Sequence, residues 1–226
     1  MDHALIQLIV ATTAFVFSHF VMSGPAREPL VSIMGKQGFL LFYSVISFAT
    51  LAWASVTFVH AASAPLLWDG TGDVPWVLSS LLTIAALTLL IPSFAGNPAL
   101  PGKKLAGLSA VLPAGVFRVT RHPMMWSIAL WAFAHILVAP SPHVLVLMTG
   151  LIILSLVGSH FQDKRKLAEN RRDVGAWQRR TSFLPRFAEL PALGAIWLYA
   201  AILWFLITWL HFHLTGIPAG LWKWLA

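Results

Sequence analysis

GVFRVTRHPMMWSIALWAFAH, residues 115–135, carries the chain from a basic loop into an apolar segment across a single dipeptide, His122-Pro123. Proline suits the first turn of a helix, where its missing N–H would have lacked a partner anyway. The spacing therefore predicts a helix opening at Pro123, with His122 at the boundary between water and hydrocarbon. An ionisable ring at such a boundary is costly to leave unpaired and is a functional candidate by default. The plainer reading is a helix cap with a histidine at the membrane edge. His135 lies thirteen residues further on, ~20 Å up the same helix and, at ~100° per residue, turned another way. His122 and His135 thus cannot share one metal.

Composition extends this reading outward. Of 226 residues, 58% are hydrophobic and only 10% charged, and the mean hydropathy is +0.77. These values fit a polytopic membrane protein, expected here as a single all-α domain over residues 1–226. The chain has no cysteine, which excludes disulfides, thiolate metal ligands and cysteine nucleophiles. Its start, Met1-Asp2-His3, lacks the basic region of a cleaved leader, so the first apolar segment is expected to persist as a helix.

Six spans are expected, at about residues 4–23, 38–60, 75–91, 124–139, 144–160 and 191–212. Arg27 and Lys36 fall between spans one and two, and Lys103, Lys104, Arg118 and Arg121 between three and four. Eight more, from Lys164 to Arg186, fall between five and six. The loops after spans two and four hold no lysine or arginine, only Asp69 and Asp73. Fourteen of the fifteen basic residues lie on one side, Lys223 being the exception. Cytoplasmic loops carry the excess of Lys and Arg, so both termini are expected on the non-cytoplasmic side of the inner membrane. The net charge of +7 is then explained by topology, and nucleic acid is not needed as a partner. Within the loops, residues 105–119 are apolar enough to lie in the membrane interface. Residues 163–182 read as a cytoplasmic amphipathic helix, with Leu167, Val174 and Trp177 near helical spacing among basic residues that anionic lipid headgroups would attract.

The topology sorts the nine histidines by depth. His19, His122 and His160 share a level near the cytoplasmic face; His3, His60, His143, His211 and His213 lie toward the other. Two neutral imidazoles on different helices at one depth suit a bis-histidine haem site. Phe15, Phe17, Trp126, Trp131 and Phe133 offer flat apolar surface, and Arg118 and Arg121 are candidate partners for haem propionates. The plainer reading is that these histidines are hydrogen-bonded packing residues and the aromatics interface anchors. No HExxH pair supports zinc, no GxSxG context supports a serine nucleophile, and no mid-membrane acid supports a transporter.

The block from Gly115 to Trp126 with Leu130-Trp131-Ala132-Phe133-Ala134-His135, together with Ser18-His19-Phe20, Asp163 to Leu167, Trp177 and Thr181 to Pro185, resembles the NnrU family of bacterial membrane proteins. That family is linked to denitrification, through nitrite and nitric oxide reductases. Its plant relative, the 15-cis-zeta-carotene isomerase, is a membrane enzyme with haem b on histidine ligands. The resemblance implies haem b on His19 and His122 (His160 as alternate), and His135 beside the cofactor or substrate. It implies isomerase or redox chemistry on a lipophilic substrate, or support of denitrification. The isomerase's cysteine just upstream of the second histidine is Val119 here, so a thiolate mechanism is excluded. A non-enzymatic membrane accessory protein is the alternative. A third expectation comes from a distant resemblance to isoprenylcysteine and phospholipid methyltransferases, in which RHP and a late acidic pair hold S-adenosylmethionine; the matching pair here is Asp163-Lys164.

Overall fold

The computed structural model describes residues 3–61, 65–98, 100 and 105–225. Met1 and Asp2, read above for a leader, and Lys103 and Lys104 of the basic loop lie outside the described residues. Among the described residues all regular structure is helical. Helix α1 (His3–Ser23) stops at Gly24-Pro25, and α2 (Arg27–His60) follows at once. It begins eleven residues before the expected span, with a kink at Gly35, whose φ of 71° is open to glycine at little cost. Helix α3 (Asp73–Leu90) tightens into a 3-10 turn (Ile91–Phe94) at Pro92. A second 3-10 turn (Leu108–Ala110) and the single-turn α4 (Val116–Val119) lead to α5 (Pro123–Val138), which opens on its proline as expected.

Helix α6 (Pro142–Glu169) runs well past His160, and α7 (Arg171–Arg180) follows. The expected helix over 163–182 is therefore two pieces. They break at Asn170, whose side chain caps α7 by accepting from the Asp173 N–H at 3.0 Å. A 3-10 segment (Phe187–Leu193) precedes α8 (Ile196–Thr215), and α9 (Trp222–Leu225) closes the fold. The last span starts later than residue 191 because Pro191 sits in the 3-10 segment and Gly194 turns with φ 56°.

Contacts run in the order α8–α3–α5–α6–α1–α2. Among the described residues five helices are long and apolar enough to cross a membrane: His3–Ser23, Arg27–His60, Asp73–Phe94, Pro142–Glu169 and Ile196–Thr215. The fourth expected span, α5, is shorter at 16 residues, or ~24 Å of rise, and is packed between α3 and α6. Large apolar side chains such as Phe48, Val59 and Leu198 point outward from the bundle, as lipid-facing positions do. The molecule is a multi-pass membrane helix bundle. Within it α1 and α6 pack tightly at Gly150, where an added Cβ would stand 2.5 Å from Thr12 Cγ2.

Charge sorting has a direct counterpart in these contacts. Arg165 reaches the Ser23 carbonyl, Arg121 N–H donates to Ser182 O, and Ser109 bonds Asp173. The described basic loops thus meet at one end. At the opposite end Lys223 pairs with Asp73 at 2.7 Å, and Leu67 N–H donates to Pro140 O.

A compact cap forms at the basic end. Leu108, Val116, Phe117, Val119, Val174, Trp177 and Leu193 are buried together with Leu89. This corrects one expectation and gives the apolar face of another a partner. Residues 105–119 do not present one apolar face to the interface: Val111 and Leu112 are exposed, but Val116, Phe117 and Val119 fill the protein's own core. The apolar face of α7 likewise points inward, leaving Arg171, Arg172 and Arg179 exposed.

Candidate functional site

His122 precedes Pro123, and its backbone N–H donates to Thr120 Oγ1 at 3.2 Å. The Thr120 hydroxyl in turn donates to Phe183 O at 2.8 Å, with Ser182 O at 3.2 Å. Arg186 N–H bonds Val119 O, and Trp126 Nε1 donates to Phe183 O at 2.8 Å. The 119–126 and 182–186 segments are therefore stitched together, and they aim the His122 ring at the start of the last turns of α6.

There the ring meets Asp163. His122 Nε2 lies 2.9 Å from Asp163 Oδ1, while Arg121 Nε and Nη2 both reach Oδ2 at 2.7 Å. Both carboxylate oxygens are engaged, and the three side chains are largely buried, His122 most of all at 3% exposure. An ionised carboxylate only accepts, so Nε2 carries the proton in this pair. The other nitrogen, Nδ1, is buried without a hydrogen-bond partner. Beside it is a small cavity of about 20 Å³, bordered by Arg121, His122, Gln162, Asp163, Lys166 and Trp177 among others. That volume admits about one water molecule.

His19 occupies a different environment. Its Nδ1 is 2.7 Å from Phe15 O. A carbonyl cannot donate, so Nδ1 carries the hydrogen and Nε2 of the neutral ring keeps its lone pair. Phe15 and Tyr43 hold the ring edge-on at centroid distances of 4.5 and 5.3 Å. The ring borders a cavity of about 1380 Å³ between α1, α2, α5 and α6, with Phe20, Tyr43, Met125, Ile128 and Leu154 among the lining residues. At the basic end the same cavity is bordered by Arg27, Glu28, Arg165 and Glu169.

The expected site residues thus divide. His19 lines the large cavity and His122 the small one; Gln162 borders both. Arg121 is held by Asp163, and Arg118 pairs with Glu189 at 2.7 Å on the surface. Trp126 packs against the cap core. His160 is exposed and lines neither cavity. His135, in the last turn of α5, bonds back to Trp131 O at 2.8 Å. No group of three or more His, Asp or Glu side chains gathers to hold a metal ion among the described residues. Tyr43, Arg27 and Arg165 border the cavity without having been singled out from sequence. An arginine immediately beyond each of two span ends was the available signal.

The family model for NnrU protein matches residues 7–219 of the chain. The chain is also similar to the 15-cis-zeta-carotene isomerase, chloroplastic, of Zea mays, at 25% identity over 194 residues, which covers 81% of this chain and 50% of that protein. It spans about half the length of that curated relative. No solved structure matches it.

Proposed function

The chain belongs to the NnrU family, and from that premise we propose that it is a membrane protein of the isomerase type, holding haem b in the cavity beside His19. Its substrate is lipophilic, and its basic end faces the cytoplasm. The observation that carries this reading is the state of His19: a tautomer fixed by the Phe15 carbonyl, with Nε2 open in a large, mostly apolar hollow. Metal-bound histidines characteristically donate their second N–H to a carbonyl or carboxylate, so His19 is a residue that would hold the haem iron. His122, matched to a second ligand by the resemblance, borders only the small cavity and is held by Asp163, so it is not proposed as a ligand of the group in the large one. His160, turned outward, is not required.

Haem bound there would supply one-electron redox change and Lewis acidity next to a π-rich substrate. The protein's own residues orient and shield. Phe15 and Tyr43 hold the His19 ring, Asp163 holds the His122 ring, and Met125, Ile128 and Leu154 keep the hollow apolar. With no cysteine in the chain, thiolate ligand exchange has no part in the scheme.

Purification in mild detergent after expression with ample haem tests the reading. A Soret band is expected in the wild type, lost in His19→Ala and retained in His122→Ala. A wild type without the band would overturn the haem site; a band lost in a folded His122→Ala would overturn the assignment of the group to the cavity beside His19. Participation in denitrification rests on the resemblance only, and a non-enzymatic accessory role predicts full function when His19→Ala and His122→Ala are combined. Methyl transfer loses support from the geometry, because both oxygens of Asp163 are already occupied by Arg121 and His122.

A further inference from the structure

Sequence reading gave the haem propionates to Arg118 and Arg121, yet both guanidinium groups are tied to carboxylates of the protein itself. A different pair of arginines borders the cavity. Arg165 Nη1 donates to Ser23 O at 3.1 Å, one helical turn or ~6 Å along α1 from His19. Its Nε is buried with no hydrogen-bond partner; its ion pair with Glu169 Oε1 is long, at 3.6 Å, and Glu169 is 43% exposed. Arg27 enters the same mouth from the first turn of α2, stacked over the Phe39 ring at 5.6 Å, and it acts on Arg165 as a like charge. Arg27 makes no ion pair among the described residues. The bordering acids, Glu28 and Glu169, are exposed to solvent.

A half-buried guanidinium with an unused N–H, next to a second cation, favours a carboxylate ligand. Such a bond would satisfy the donor and relieve the repulsion. We propose that Arg165, assisted by Arg27, anchors the carboxylate edge of the cavity's ligand, which in the haem reading above, on which this inference rests, means the propionates. The His19 nitrogen and this anchor then fix both the depth and the rotation of the ring.

The test is a spectroscopic titration of the purified full-length apoprotein with haem and, in parallel, with haem dimethyl ester, whose carboxylates are blocked. Arg165→Gln is expected to weaken haem binding ~10- to 100-fold, the range of one lost charge-assisted hydrogen bond. Binding of the diester should stay within about twofold of the wild type. Arg165→Lys should restore part of the loss. Arg27→Gln, which leaves the α1–α6 contact intact and guards against misfolding of the first variant, should weaken haem several-fold and the diester not at all. Equal weakening of haem and diester would make Arg165 a packing residue and overturn the proposal, as would no weakening of either. A wild type that binds neither porphyrin overturns this inference together with the haem site, whereas haem binding that needs His19 but ignores both arginines overturns this inference alone.

Discussion

In the cap, one carboxylate serves two partners: Asp163 sets Oδ2 on Arg121 and Oδ1 on His122, and Thr120, Trp126 and Arg186 tie the same loop to residues 119 and 182–183. In the neighbouring hollow, His19 meets two aromatic edges and one carbonyl and leaves a nitrogen open. Gln162 borders both places. The most conspicuous motif of the chain is thus held rigidly by its own partners, while a histidine with little sequence context around it stands where a guest fits. A motif's prominence reports how many constraints meet on it, and those constraints can be architectural.

The contrast can be broken at either end. His19→Ala should produce the largest functional change, complete loss of the haem spectrum. It should lower thermal stability by about 1–2 kcal/mol, since the ring's contacts are two aromatic edges and one carbonyl. Asp163→Ala should cost more stability. Removing the shared carboxylate strands two buried partners, at about 3 kcal/mol, seen as a fall of roughly 6–12 °C in Tm in detergent; an unchanged Tm would mean the cap does not depend on the pair. Thr120→Val should cost about 1–2 kcal/mol, because a hydroxyl that serves two carbonyls and the His122 N–H is lost without a change of shape.

The smallest effect is expected at Asp173, on the outer rim of the cap. The Ser109 hydroxyl, then the Asn170 amide and the Ser109 and Gly107 N–H groups, hold its carboxyl down at about 2. A carboxylate depressed on folding contributes stability that is complete above its unfolded value of ~3.9 and lost as pH falls through the folded one. The wild type should therefore lose resistance to denaturation between about pH 4 and 2, and Asp173→Asn should flatten that slope. A slope identical in both proteins would remove Asp173 from the acid response.

Much of the architecture was legible. Hydrophobic runs and the sorting of basic residues located the helices and the two ends of the bundle, because bilayer thickness and charge placement act on local sequence. The helix start at His122-Pro123 followed from proline chemistry. The Asp163 bridge was not legible, since it joins positions 41 and 42 residues apart and no local pattern marks it. The separation of α6 from α7 turned on one capping asparagine within a basic run. The hollow was invisible for a deeper reason: it exists only because four helices diverge, and divergence is a property of packing.

One contact sets the limits of that space. Phe15 and Leu151, the first residues of α1 and α6 to line it, lie directly beyond the point where Gly150 lets Thr12 come within touching range. From Leu151 to Glu169 α6 rises roughly 27 Å, so whatever enters from the arginine side is measured against a fixed ruler whose zero is a single hydrogen atom. A tail longer than that ruler must exit sideways into the lipid, and a methyl group at position 150 would move the zero.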